Sequence, residues 1–313
     1  SIIIDGLHDP DSEIRELAAF AYGKFSSAVR LDELRTLAIQ EPVVEVQVAF
    51  VRALGWHRDE GAVDLLLDMF SQTDDPYVQD AIMGSLIVIG GQHVIDALTA
   101  MLNNGLSSDQ AKSSVINALG WIGEIEVIPA LRRFIDDEDP LIREKVITTL
   151  ERLGAVDFID LIVASLNDEV AAVREAAFDA LWLMGDSRLL DFTKVMVHDE
   201  EAWLRYKAYK KLAGFLPNPS LEEFLVQTFS VSEGLDRIAV IQTLAKSSLS
   251  DSVCTIIRQL LTDNDRDLVL EALSILEERQ PSGFSEAIAT LIHTQTDPFI
   301  RKKAESLQKH YGG

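Results

Sequence analysis

A chain of 313 residues, 47% hydrophobic with only 9 prolines and 17 glycines, has the composition of a folded protein and not of a disordered or fibrous one. Its 51 acidic residues against 28 basic ones leave a net charge of −23, which repels phosphate backbones and argues against nucleic acid as a ligand. No apolar run reaches the length of a membrane span, the start SIIIDGLHDP lacks the pattern of a signal peptide, and Cys254 is the single cysteine; no membrane and no internal disulfide are expected, and the expected location is cytoplasmic.

In chain order, the first stretch, SIIIDGL, is too short for a full helix. The end face it leaves is expected to be truncated, capped by that short piece, or covered by a partner or a second copy. A helical pattern with Arg15 at its start follows the turn at Asp9 and Pro10, and the same entrance then recurs along the chain. It is plainest in DPLIREKVITTLERLG (139–154) and DPFIRKKAESL (297–307). With the Arg as anchor, the equivalent positions are Arg15, Gln47, Gln79, Lys112, Arg143, Arg174, Arg205, Arg237, Arg266 and Arg301, spaced 29 to 35 residues apart. Self-similarity at such a period marks a solenoid, in which each unit buries its face against its neighbours.

Around each anchor the positions one before, three after and six or seven after are mostly apolar, as in Val173, Ala177, Ala180 and Leu181, which is helical spacing. Small residues such as Ala18 and Ala21 allow close helix approach, and Gly23, Gly55, Gly123, Gly154 and Gly185 are read as helix stops. A second apolar-periodic stretch completes each unit, for example VIPALRRFI (127–135), FIDLIVASL (158–166) and LEEFLVQTF (221–229). Asp-Pro fits between the two helices because Pro suits a first helical turn and Asp caps its free amides. The fold class predicted is all-α: a right-handed α-solenoid of about ten helical hairpins, forming a single domain over residues 1–313.

The segments DPLIREKVITTLERLG, EVAAVREAAFDALWLMG and AKSSVINALGWIG resemble HEAT-like repeats of the kind named after phycobilisome lyases, and the likeness runs over nearly the whole chain. The resemblance implies a ladder in which Asp and Arg of successive repeats pair, carried here to Asp75, Asp139 and Asp297 and to Arg143, Arg174, Arg205 and Arg301. Gln47, Gln79 and Lys112 depart from Arg, so the ladder is expected to weaken there. It also implies that the anchor helices line a concave side.

Little in the chain points to catalysis. The six histidines lie apart in sequence with no His-Glu or His-x-x-x-His pair, so no metal site is expected; the deoxyhypusine hydroxylases, a HEAT-like enzyme group, rely on such pairs. The sequence DNDRD (263–267) imitates half of a calcium loop, but Leu268 stands where Gly is needed, so it reads as a capped turn. The runs HDEEAW and DDEDP read as solvated turns, and Cys254, in an apolar helix, reads as a small buried hydrophobe. The residues four after each anchor, Ala19, Val51, Met83, Ile116, Ile147, Phe178, Tyr209, Ile241 and Leu270, form an apolar stripe expected to be core.

Aromatics near that stripe, set among acids, suggest a partner-binding groove. The candidate lining is Trp56, Trp121, Trp182, Tyr206, Tyr209 and Phe178 with Glu144, Glu175 and Asp179. The function expected is a non-catalytic scaffold, adaptor or assembly factor that holds another protein, one with a basic or polar surface, and needs no cofactor. The family resemblance implies an alternative: an E/F-type phycobilin lyase, isomerase or chromophore chaperone acting on a phycobiliprotein subunit. Trp121, Trp182 and Tyr209 would then stack on a linear tetrapyrrole bilin, and Glu144, Glu175 or Asp179 would face its pyrrole nitrogens. A third resemblance, to base-excision enzymes that hold DNA on such repeats, conflicts with the charge.

Overall fold

The computed structural model describes residues 2–25, 30–106, 108–247 and 249–311, all of them helix, turn or loop. The ten repeats expected to form one domain over 1–313 fall in two compact units, Ser1–Asp186 and Ser187–Gly313. The first holds α1 (Ile2–Gly6), α2 (Ser12–Phe25), α3 (Leu31–Gln40), α4 (Val44–Trp56), α5 (Val63–Gln72), α6 (Pro76–Ile89), α7 (Gly91–Asn104), α8 (Asp109–Ile122), α9 (Ile128–Arg132), α10 (Pro140–Arg152), α11 (Ile159–Ala164) and α12 (Ala171–Met184). The second holds α13 (Leu189–Met196), α14 (Ala202–Leu212), α15 (Pro219–Val231), α16 (Gly234–Leu244), α17 (Asp251–Leu260), α18 (Arg266–Arg279), α19 (Ser285–Thr294) and α20 (Pro298–Tyr311).

Every anchor lies on an even-numbered helix, and these helices stack in sequence. In the first unit α2 packs on α4, α4 on α6, α6 on α8, α8 on α10 and α10 on α12; in the second α14 packs on α16, α16 on α18 and α18 on α20. The helix before each anchor helix packs against it as its hairpin partner, as α3 does on α4 or α19 on α20. This is the α-solenoid arrangement, in which each hairpin meets only its neighbours. The stripe four after the anchor lies in the core, with Ala19, Val51, Met83, Ile116, Ile147, Phe178, Tyr209 and Ile241 buried and only Leu270 half-exposed.

Gly23 and Gly55, read from sequence as helix stops, lie inside α2 and α4. They are contact points. A Cβ built on Gly55 would stand 2.8 Å from the Ser85 Cα, and one on Gly23 would stand 2.9 Å from the Ala53 Cα. A Cβ on Gly120 would stand 2.7 Å from the Thr149 side-chain Cγ2. In each pair the residue eight after one anchor lies on the residue six after the next, so the missing side chain sets how closely the helices approach. Gly123 and Gly185 do stop helices, in left-handed conformation.

The ladder has a different register from the one expected. Asp75 and Asp139 cap helices: the Asp75 carboxylate accepts the N–H groups of Tyr77 and Val78, and that of Asp139 accepts the N–H of Leu141. In the first unit the rung acid stands two residues earlier, six before the anchor. Glu41, Asp137 and Asp168 occupy this position, and each also accepts a backbone N–H two residues on, from Val43, Asp139 and Val170. Asp9, Thr73, Asp199 and Gln295 hold the same turn in other repeats.

Each rung acid of the first unit meets the preceding anchor. Arg15 forms a two-pronged pair with Glu41 at 2.8 and 2.9 Å, Lys112 meets Asp137 at 3.0 Å, and Arg143 forks onto Asp168 at 2.7 and 2.8 Å. In the second unit Arg205 meets Asp236, Arg237 meets Asp263 and Arg266 meets Asp297. Of the three expected rung acids, only Asp297 pairs with an anchor. The anchors also bond the turn before them, Arg143 through the carbonyls of Asp137 and Glu138, Arg174 through those of Asp168 and Glu169, and Arg301 through Gln295. Where the anchor is Gln there is no rung among the described residues: Gln47 bonds the Ala38 carbonyl and Gln79 that of Thr73.

The Arg15 guanidinium holds Glu41 below the usual carboxylate range. At Asp168 burial acts upward, but the Arg143 hydrogen bond and the Val170 N–H outweigh it and the carboxyl is again lowered.

Candidate partner-binding site

With the stripe four after the anchor turned inward, the positions one, five and nine after it face out along each anchor helix. On α2, α4 and α6 they carry Glu16 and Phe20, then Val48, Arg52 and Trp56, then Asp80, Gly84 and Val88. Two neighbouring hollows form there. One, about 300 Å³, is lined by Glu16, Phe20, Glu45, Val48, Arg52, Trp56 and Tyr77. The other, about 350 Å³, shares Arg52 and Trp56 and adds Asp80, Gly84 and Val88.

Trp56 is half-buried because Gly23 leaves it room: a Cβ there would stand 2.5 Å from Trp56 Cε3. Phe20 meets the ring edge-on at 5.3 Å, and the Lys24 ammonium sits 4.2 Å from its centre. Tyr77 is 75% exposed. Among the described residues, the side chains of Glu16, Glu45, Asp80 and Arg52 make no hydrogen bond or ion pair.

The second unit has a larger hollow, about 710 Å³, between α14 and α16. Trp203, Tyr206, Leu235 and Ile238 line it, and the Arg205–Asp236 pair crosses its wall. Leu235 is 76% exposed, and Lys210 covers the Tyr206 ring at 4.6 Å.

The candidates named from sequence separate. Phe178 and Tyr209 are buried, at 0% and 2% exposure, because they belong to the inward stripe; neither can line a surface groove, and Tyr209 is not available to stack on a pigment. Trp182 lies one position short of the register of Trp56 and Trp121 and meets the buried Phe178 edge-on at 6.5 Å. Trp121, 59% exposed, lies beneath the Arg152 guanidinium at 4.3 Å. Tyr206 lines the hollow of the second unit. Glu144, Glu175 and Asp179 do come together, with Glu151, around a hollow of about 350 Å³ floored by Ala172, Ala176 and Ala180.

Sequence reasoning missed Phe20, Tyr77, Trp203 and Leu235. Phe20 was legible, since it stands five after Arg15 on the outward row. Tyr77 and Trp203 stand two before their anchors, where a helix entrance leaves the side chain outside the stack. Among the described residues no group of His, Cys, Asp or Glu could hold a metal ion, and no helix is long and apolar enough to cross a membrane.

Sequence models of HEAT repeats match residues 1–87, 31–111 and 95–182, more than half of the chain. The chain belongs to the HEAT-repeat family. No curated protein matches it in sequence. Among solved structures it is similar to the E. coli protein YibA, at 16% identity and TM-score 0.45, covering 96% of this chain and 98% of that one. It is also similar to human deoxyhypusine hydroxylase, at 16% identity and TM-score 0.37, covering 82% and 99%. A third likeness is to the CpcE–CpcF complex of phycocyanin lyase from Nostoc, at 18% identity and TM-score 0.32, covering 88% and 92%. Likenesses of this size carry no activity over to this HEAT-repeat chain.

Proposed function

We propose that this HEAT-repeat protein is a non-catalytic scaffold that holds another protein, one with a basic or polar surface, against the outward rows of its anchor helices. The observation that carries the reading is the exposure of large aromatics on those rows and at the helix entrances beside them. Phe20, Trp56 and Tyr77 in the first unit and Trp203 and Tyr206 in the second stand at the surface of hollows rimmed by carboxylates. Rigid aromatics give contact area at low entropic cost, and the acids around them supply steering and selectivity.

The test uses a partner in pure form. A protein captured on the intact chain is identified, purified, and its affinity measured for the wild type, for Trp56→Ala and for the double variant Trp203→Ala/Tyr206→Ala, all verified as helical by circular dichroism. A loss of about tenfold or more in at least one variant is the expected result. Equal affinity for all three would overturn the reading.

A further inference from the structure

Resting on the scaffold reading, we propose that the hollow between α2, α4 and α6 receives a cationic side chain, arginine or lysine, of a basic partner segment, displacing Lys24 from the Trp56 ring. The Trp56 ring lines this hollow and the adjoining one. The aromatic wall of the former is Phe20, Trp56 and Tyr77, and the Trp56 ring carries a cation of its own chain, the Lys24 ammonium at 4.2 Å. An indole face attracts an ammonium or guanidinium through its quadrupole, so Lys24 shows the kind of group the ring accepts.

The surrounding charge has the same preference. Glu16 and Glu45 line this hollow and Asp80 the adjoining one, none of them with a hydrogen bond or ion pair among the described residues. Arg52 is the one cation common to both hollows, so three carboxylates stand against it. Residues 1–100 as a whole carry 17 acids and 6 bases, and this field draws basic segments toward the face. A guanidinium is the better fit, being planar, weakly hydrated and able to stack while it bonds a carboxylate.

The experiment measures fluorescence polarisation of a labelled peptide of alternating arginine and alanine, and of its citrulline counterpart, with the intact chain. Glu16→Gln/Glu45→Gln and Trp56→Leu are each expected to weaken the arginine peptide by about tenfold, and Lys24→Gln to tighten it several-fold. The control is Glu124→Gln/Glu126→Gln, which removes the same charge from an exposed turn elsewhere in the unit. Equal loss in that control would mean that the acidic surface attracts bases without a site, and equal binding of the uncharged citrulline peptide would mean that no cation is recognised; either result overturns the proposal. Trp56→Leu is read beside the double Gln variant, whose exposed side chains leave packing untouched. If an identified partner loses affinity with Trp203→Ala/Tyr206→Ala but is indifferent to Glu16→Gln/Glu45→Gln, the scaffold reading stands and the hollow is not its contact.

Discussion

Arg143 illustrates how much one side chain does in this fold. It is 8% exposed, forks onto Asp168 across the repeat boundary and bonds two carbonyls of its own turn. Arg143→Ala leaves Asp168 without its partner in a partly buried site and is expected to cost about 3 kcal/mol in urea unfolding. The cap acids matter less: Asp75→Ala removes only helix-capping bonds and is expected to cost about 1 kcal/mol. The lowered carboxyls of Glu41 and Asp168 also fix a pH dependence. Because their native values lie below the unfolded ones, their stabilisation is complete above the unfolded carboxylate range and drains away as pH falls through the native values. Unfolding free energy should therefore decline from about pH 5 downward. Asp168→Asn should be less stable than wild type at pH 7 and lose less between pH 7 and pH 3; parallel acid profiles for the two would refute the assignment.

Between helices, contact depends on where a side chain is missing. Gly23 and Gly84 both occupy helix interiors, so propensity alone would make alanine better at each by about 0.5–1 kcal/mol. Their surroundings differ. A Cβ on Gly84 meets nothing within 4 Å, whereas one on Gly23 collides with Trp56 and with the backbone of Ala53. Gly84→Ala should thus raise the melting temperature, while Gly23→Ala should cost about 1–3 kcal/mol through overpacking between α2 and α4. A stabilised Gly23→Ala would mean that the approach of these helices is looser than described.

Each compact unit has its own stacked anchor helices and its own buried stripe. In a repeat array stability is approximately a sum of repeats and neighbour interfaces, so a long enough run of repeats folds by itself. The segment 1–186, expressed alone, should show helical circular dichroism and a cooperative melt; an unfolded product would mean that this unit does not fold independently. The charge of −23 belongs to this scale as well, since it acts on partners before contact and is screened by salt.

The sequence alone determined the repeat, its length, the anchor positions, the inward stripe and the all-α fold, because helical periodicity and a recurring helix entrance are local signals written in each unit. The tertiary structure decided which residues meet between units. In the first unit the rung acids Glu41, Asp137 and Asp168 lie six before the anchor and not at Asp-Pro, whereas in the second Asp236, Asp263 and Asp297 lie one, three and four before it, since a carboxylate's partner across a repeat depends on how two hairpins stack and not on the turn that contains it. Gly23 and Gly55 look like stops in one dimension and prove to be contacts, because nothing in a sequence distinguishes a glycine that ends a helix from one that admits a neighbouring backbone. The aromatics divided for the same reason. Tyr209 stands four after its anchor and Trp56 nine after, about 140° apart around the helix, which separates core from surface, and only packing fixes which direction a stack leaves open.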